Sequence, residues 1–496
     1  MTYNDLISFC NPVSVQGTAP ESLGSLRNDS RTVKSGDIFI AIRGHHSDGH
    51  SYLDNARENG ASVLITEEPY DAGEEGPAVL VVENTRTLLS PLAQKMAGNP
   101  ADKLRIVGIT GTNGKTTVAT LVWQVLREMD QPSALLGTVS KRINDEEIES
   151  RLTTADPIEL ASDMEKMVKA GCKYLIMEVS SHALHQGRVH GIEFEVAAFT
   201  NLSHDHLDYH SSMDEYAAAK KILFDSLSDS SWAVINADDP YAGYMVDSTE
   251  AKILDISLQG GALINAEVED ASAEGTLIGV EGIKIESPLV GRFNAMNIVQ
   301  SLMICTSLGF DGRTVSEHLK NCTGAEGRME RVTVNGDDQD LPTVFVDYAH
   351  TPDALENVAS TLAGLKSAGQ KLTIIFGCGG DRDRSKRTKM AQIAEKYADY
   401  VMVTSDNPRT EDPEAIISEI TAGFSKGFNY DSITARKDAI HMVISDSGSS
   451  DIILIAGKGH ETYQEINGNH IHFDDREEAS TALSWKRGQI KNSEVH

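Results

Sequence analysis

The stretch Lys103 to Met129, KLRIVGITGTNGKTTVATLVWQVLREM, restricts the fold more than any other part of the chain. Arg105 to Thr110 is a short apolar run of the kind found in a central parallel strand. Gly111, Thr112, Asn113 and Gly114 form a turn. Lys115, Thr116 and Thr117 then open a helix whose Val118, Leu121, Val122, Val125 and Met129 recur on one face. A turn free of bulky side chains lets backbone N–H groups wrap a phosphate, and the helix N-terminus adds partial positive charge. In that arrangement Lys115 reaches the terminal phosphates and the Thr116 hydroxyl binds Mg2+. The spacing departs from the standard phosphate loop, because Gly108 stands one residue too early and Ile109 fills the expected place. A chance glycine turn would not bring strand, turn, Gly-Lys-Thr and helix in this order. The loop specifies a nucleoside triphosphate but not the use of its energy.

At 496 residues the chain has room for about two to four domains. A net charge of -30 argues against nucleic acid or an anionic membrane as partner, so a nucleotide must meet locally concentrated positive groups. Adaptation to a salty medium and simple solubility both account for the acidic balance. No apolar run is long enough to cross a bilayer, and MTYNDLISFC lacks a basic segment followed by an apolar one. Cys10, Cys172, Cys305, Cys322 and Cys378 are scattered without metal-ligand spacing. A cytoplasmic protein with free thiols is expected.

Residues 1–100 read as a small α/β domain, with strands at 37–42 and 61–65. Polar stretches around Asn28 to Arg31 and Gly44 to Gly49 flank the first strand, where ligands or ordinary turns both occur. In a second domain, 101–332, a strand is expected at 134–139. Thr153 and Thr154 before Asp156-Pro157 either cap a helix or bind a phosphate or carboxylate. The apolar run 174–177 ends in Glu178, a carboxylate well placed for Mg2+. Ser181-His182 lacks the glycine-flanked turn of a hydrolase nucleophile. The run 196–200 leads into His204, Asp205, His206, Asp208 and His210, a cluster dense enough to favour metal or phosphate chemistry. Lys220 and Lys221 follow on a helix; taken alone, each reads as a surface lysine. Residues 251–290 read as short antiparallel strands, and Asn294 and Asn297 share one helix face. In 333–496, after a polar turn at 335–338, strands and helices alternate, which predicts a parallel sheet with right-handed crossovers. Polar clusters at 347–350, 379–384, 406–409 and 457–461 fall at the C-terminal ends of its strands, the ligand edge of such a sheet. Four clusters of mixed charge on one edge suit a zwitterionic amino acid.

GITGTNGKTT, MEVSSHAL, TNLSHDHLDYH, DYAHTPDALEN, FGCGGDRDRSKR, DNPR and AGKGHETYQ together resemble the Mur ligases, the ATP-dependent amino-acid-adding enzymes of peptidoglycan synthesis. The likeness runs from about Asp29 to Tyr463, and the family's TGTxGKT-like loop accounts for the displaced glycine. It implies a three-domain α/β fold: a small N-terminal domain for a UDP-sugar, a central P-loop-type parallel sheet for ATP, and a C-terminal Rossmann-like sheet for the amino acid. It implies that Asn28, Ser30, His45, His46 and Ser47 grip the uridine diphosphate end. Thr153, Thr154, Ser180, Gln186 and Arg188 correspond to positions that hold a muramoyl dipeptide. The family's asparagine before the paired threonines is Leu152 here. Gly111, Thr112, Asn113, Gly114, Lys115, Thr116 and Thr117, with Asn294, Asn297, Arg328 and Asp347, correspond to ATP contacts. Thr116, Glu178 and His206 correspond to Mg2+ positions, and Lys220 to a lysine carried as a carbamate. Lys115, Lys220, His206 and Glu178 would then be catalytic. Arg382, Asp406, Asn407, Pro408, Arg409, Gly457 and Glu461 correspond to the amino-acid site.

The Asp-Asn-Pro-Arg sequence points to meso-diaminopimelate, whose distal carboxylate an arginine at 409 pairs with bidentately. The same resemblance leaves open L-lysine as the amino acid, or folate polyglutamylation as the reaction. A nucleotide-switch protein would use the loop without making product. A monomer acting on small molecules, with no nucleic acid or membrane partner, is expected.

Overall fold

The computed structural model describes residues 1–44, 47–148, 152–206, 209–334 and 340–494. His45, His46, the 207–208 part of the histidine-rich loop and the turn expected at 335–338 lie outside the described residues. The fold is α/β in three domains. The chain forms two compact units: Met1–Ser257 with Gly261–Ile264 and Gln300–Phe310, and Leu258–Gly260 with Asn265–Val299 and Asp311–His496.

The first unit holds two sheets. The N-terminal one runs Ser14–Gln16, Ala78–Val81, Val63–Thr66, Ile38–Ile40, Leu26–Arg27, parallel except for its first strand. The second runs Lys252–Ser257, Trp232–Asn236, Val196–Phe199, Arg105–Thr110, Tyr174–Glu178, Ser133–Leu136, Lys141–Ile143, Glu146–Ile148. Its six strands from Lys252–Ser257 to Ser133–Leu136 are parallel, with Arg105–Thr110 inside, so residues following Thr110, Glu178 and Phe199 gather on one edge.

Two expectations are corrected here. Strand 134–139 ends at Leu136, because Gly137 turns the chain and a Cβ there would press on Glu178. Lys252–Ser257, in a stretch expected to be antiparallel, pairs parallel with Trp232–Asn236, while Ile264–Ala271 with Thr276–Val280, and Thr276–Val280 with Ile283–Ser287, form antiparallel pairs.

In the second unit the C-terminal sheet runs Glu330–Val332, Thr343–Asp347, Ile452–Ala456, Leu372–Phe376, Tyr400–Thr404, Tyr430–Ile433. All pairs but the first are parallel. The four polar clusters do follow its strands on one edge, as the alternation predicts. Apolar side chains of Phe345, Ile374, Phe376, Val403 and Leu454 fill one face, and those of Val346, Ile375, Met402 and Ile453 the other. The helix Asp475–Glu494 contributes Ala479, Ala482 and Leu483 to the latter.

Candidate active site

Strand Arg105–Thr110 and the helix start at Lys115 fall where the sequence predicts; the helix ends at Glu128, with Met129 as its C-cap rather than its last turn, and Gly111 (φ 148°) and Gly114 (φ 84°) make the turn. A Cβ at Gly111 would collide with the Thr200 hydroxyl, so only glycine fits there. Gly108 has another use. It lies in the strand, where a Cβ would stand 2.7 Å from the Phe194 ring, which explains a glycine outside the loop.

Residues after strand Val196–Phe199 brace the loop. Thr112 N–H donates to Asn201 O at 2.8 Å, Asn113 N–H to Asn201 Oδ1 at 3.0 Å, and Thr200 Oγ1 to Asn113 O at 2.6 Å. Thr112 Oγ1 lies 3.2 Å from the Tyr216 hydroxyl, and Thr117 is buried. Lys115 Nζ donates to Gly111 O at 2.9 Å and to Thr112 O at 2.8 Å. Lys220 Nζ donates to that same Gly111 carbonyl at 2.7 Å and lies 4.4 Å over the Tyr216 ring.

Lys220 and Lys221 are therefore not surface lysines. Only 1% of Lys220 is exposed, and Lys221 is buried against Asp225 and Asp247. Burial first, then the charge of Lys115, holds the Lys220 amine well below the ordinary lysine range.

Glu178 is buried at its strand tip. One oxygen accepts from Thr138 N–H at 2.8 Å; the other accepts from Thr138 Oγ1 at 3.0 Å and Thr116 Oγ1 at 3.1 Å. A carboxylate and a hydroxyl next to a phosphate cradle are the oxygen donors Mg2+ takes, and the residues fit that ion. His206, with φ 53°, is 3.6 Å from Asp205 and stacks edge-on with His182 and Tyr216. Among the described residues, no three His, Cys, Asp or Glu side chains gather as a metal cluster. His210, from the same loop, pairs with Ser181 Oγ at 3.0 Å, so Ser181 is turned to a different histidine from its neighbour His182.

Thr138 is a residue sequence reasoning missed. Its hydroxyl also lies 3.1 Å from Thr153 Oγ1, so it joins Glu178 to the paired threonines. Those threonines do not cap the following helix. Asp156 does, accepting from Ile158 N–H at 3.0 Å. Thr154 Oγ1 instead donates to Glu178 O at 2.8 Å and accepts from Ser180 N–H at 3.1 Å. Arg188 donates to Thr154 O and Gln186 Oε1, both at 2.7 Å, and burial lowers its pKa. Asn28, Leu152, Gln186, Arg188 and Tyr209 line one cavity of about 430 Å³ in this unit. Asn28 Nδ2 donates there to Asp156 Oδ2 at 2.7 Å. Ser30 is buried in a helical turn, its carbonyl accepting from Asn59, while Ser47 is exposed.

The second unit carries the remaining residues. Asn294 and Asn297 are buried on one helix face, 3.1 Å apart. Asp347 accepts from Met329 N–H at 2.7 Å and Ala349 N–H at 2.8 Å, and burial raises its pKa. The Arg328 guanidinium lies 4.9 Å over the Tyr348 ring. Asn407 Nδ2 donates to Glu461 Oε2 at 2.9 Å. Gly457 (φ 122°) has no space for a side chain beside Asp406, and Pro408 is buried. Arg382 is exposed. Glu411, pushed down to about 2 by its hydrogen bond to Arg387, also accepts from Asp381 N–H and so ties the 379–384 loop to the segment after Arg409.

Arg409 (φ 51°) is held from two sides. Its Nε pairs with Glu465 Oε2 at 3.0 Å and its Nη1 donates to Gly380 O at 2.8 Å. Glu465 lies on the hairpin Tyr463–Ile466 and Asn469–His472, which sequence reasoning did not find.

A cationic glycine cradle beside a strand-tip carboxylate, on a three-domain α/β frame, defines a nucleotide-using enzyme. Known proteins make the class specific. Residues 24–96 match the description "Mur ligase family, catalytic domain", 109–305 "Mur ligase middle domain" and 327–459 "Mur ligase, glutamate ligase domain". The chain belongs to the Mur ligase family. One relative, UDP-N-acetylmuramoyl-L-alanyl-D-glutamate--2,6-diaminopimelate ligase of Bacillus licheniformis, is 42% identical over 494 residues, covering 97% of this chain and 99% of the relative. A solved structure bearing that same enzyme name is 34% identical, with a TM-score of 0.73 over 98% of this chain and 99% of its own. A folylpolyglutamate synthase of Mycobacterium tuberculosis, solved with ADP and AMPPCP, is 20% identical. It shares the fold at a TM-score of 0.58 over 75% of this chain and 92% of its own.

Proposed function

We propose that this chain joins meso-2,6-diaminopimelate to the D-glutamyl side chain of UDP-N-acetylmuramoyl-L-alanyl-D-glutamate, with ATP converted to ADP and phosphate. The reaction serves cytoplasmic assembly of a peptidoglycan precursor. The carrying observation is the chain of contacts from Thr116 through Glu178 and Thr138 to Thr153, which couples the nucleotide loop to residues proposed to hold the acid. The domain boundaries we adopt lie near residues 100 and 332, and we take the protein as a monomer. The five cysteines are buried and none is in a disulfide, which accords with a reducing compartment.

A carboxylate is too poor an electrophile to accept an amine. Transfer of the terminal phosphoryl group makes it an acyl phosphate; the amine attacks the carbonyl carbon and phosphate leaves. The first step brings anions together, so it needs positive charge at the loop. Lys115 supplies it, and the loop amides orient the phosphates. Mg2+, held by Thr116, Glu178 and His206, would neutralise developing charge. Lys220, neutral through burial, would add carbon dioxide at Nζ with loss of a proton, giving an anionic oxygen donor beside the loop. Asn294, Asn297, Arg328 and Asp347 would hold the nucleoside. Asn28, Ser30, His45, His46 and Ser47 would hold the uridine diphosphate, and Ser180, Gln186 and Arg188 the dipeptide with the threonines. Asp406, Asn407, Pro408, Gly457 and Glu461 would form the amino-acid pocket, with Arg382 and Arg409 at its distal carboxylate.

The test is phosphate release with the UDP-linked dipeptide and each candidate amino acid in turn. Release that ignores the amino acid would mark a nucleotide switch; release with a folate and glutamate would mark polyglutamylation. L-Lysine puts an ammonium where Arg409 expects a carboxylate. Its kcat/KM should fall at least about 100-fold below that of diaminopimelate, and comparable values in direct competition would remove the assignment.

Thr138→Ala deletes the hydroxyl that holds both Glu178 and Thr153. Turnover should fall about 10- to 100-fold, while Thr138→Ser stays near the parent. Equal rates for all three would show that this bridge is idle.

A further inference from the structure

Lys458 stands between two glycines that both have positive φ. Gly457 has φ 122° and Gly459 φ 54°; a Cβ on the first would press on Asp406, and on the second against Gly327 and Tyr348. The Lys458 side chain is fully buried, with 0% exposure. Its Nζ donates to Asn407 Oδ1 at 3.0 Å and to Glu461 Oε2 at 3.2 Å, and the Tyr463 ring lies 5.6 Å away. Glu465 N–H donates to the same Asn407 oxygen at 3.0 Å. With two donors on Oδ1, the Asn407 amide has one orientation, and its Nδ2 must face Glu461, to which it donates at 2.9 Å. Glu461 Oε2 thus carries two donors, and Oε1 carries none among the described residues.

A buried ammonium costs several kcal/mol in desolvation unless it is paired. A lysine retained here for packing alone would be replaced at lower cost by an apolar side chain. We infer that Lys458 is a positioning residue of the amino-acid site: it fixes the Asn407 amide and holds Glu461 by one oxygen, so that the other accepts the ammonium group of the incoming amino acid. This rests on the function proposed above. It adds to the residues drawn from the family likeness one that makes no contact with substrate and acts through two that do. Its effect belongs to amino-acid affinity and not to the nucleotide or the UDP-linked acid.

Steady-state kinetics of full-length Lys458→Met, with each of the three substrates varied, test it. The KM for diaminopimelate should rise about tenfold or more, with the KM for ATP and for the UDP-linked dipeptide within about twofold of the parent. Glu461→Gln should raise the same KM, and the double variant should exceed the larger single effect only slightly, because the two residues act as one unit. An unchanged amino-acid KM, a lower kcat with all three KM values unchanged, or full additivity would each overturn the inference. Should Lys458→Met fail to fold, Lys458→Gln keeps a neutral amide donor on a shorter side chain and should give the same selective rise; failure of both to fold assigns the lysine to structure and overturns the inference. The parent enzyme is the control on the reaction itself. If it releases no phosphate with diaminopimelate, the proposed function fails, and not the role of Lys458.

Discussion

Lys220→Ala should lose at least about 1,000-fold in ligation rate, and added bicarbonate should not restore it. Two lysine side chains, Lys115 and Lys220, converge on the single carbonyl of Gly111. An ammonium at Lys220 would be both desolvated and repelled by Lys115, so the amine stays neutral at pH values where an exposed lysine is charged. A neutral amine forms a carbamate with carbon dioxide; alanine has no nitrogen to do so, and arginine's guanidinium does not substitute. The check is product formation at saturating substrates, together with the carbamate carbonyl signal from 13C-bicarbonate, expected in the parent and absent in the variant. Equilibrium ADP binding should persist, because the loop amides and Lys115 remain. Turnover near that of the parent would refute the role.

Arg436→Ala should cost about 3–5 kcal/mol and lower the melting midpoint of the second unit by roughly 10 °C. Arg436 opens the helix Arg436–Asp446, and Asp475 opens the helix Asp475–Glu494. Both side chains are 0% exposed and meet through two bonds of 2.7 Å, Nε to Oδ1 and Nη2 to Oδ2. Nη2 also donates to Ala456 O at 3.0 Å, at the end of the strand that precedes Gly457. Alanine would leave the Asp475 carboxylate buried without its cation, the case in which a buried pair is most costly to break. The double variant Arg436→Met, Asp475→Leu removes both charges and should recover most of the loss. Thermal unfolding by circular dichroism reads both. An unchanged midpoint for the single variant would show that the two helices do not depend on this pair.

Where the determinants are local, the sequence is legible. The phosphate loop was readable to the residue because glycine turn chemistry, a Gly-Lys-Thr start and helical periodicity lie within one short stretch. The C-terminal sheet was readable because each apolar strand is followed by its polar cluster. Tyr430–Ile433 was not, since an edge strand buries little and its residues are polar. The role of Gly108 was hidden because its reason is the Phe194 ring, 86 positions along the chain. Thr138 carries no motif, and its importance comes from Glu178 arriving on the neighbouring strand.

Sequence alone determined the family, the phosphate cradle and the edge of the sheet where ligands collect, because each is written in contiguous residues whose chemistry needs no distant partner. Only the tertiary structure decided which charges are buried and what they touch: Lys220 on Gly111, Arg436 on Asp475, Lys458 between Asn407 and Glu461. The free energy of a charge depends on its surroundings, and residues far apart in the chain create those surroundings when they pack.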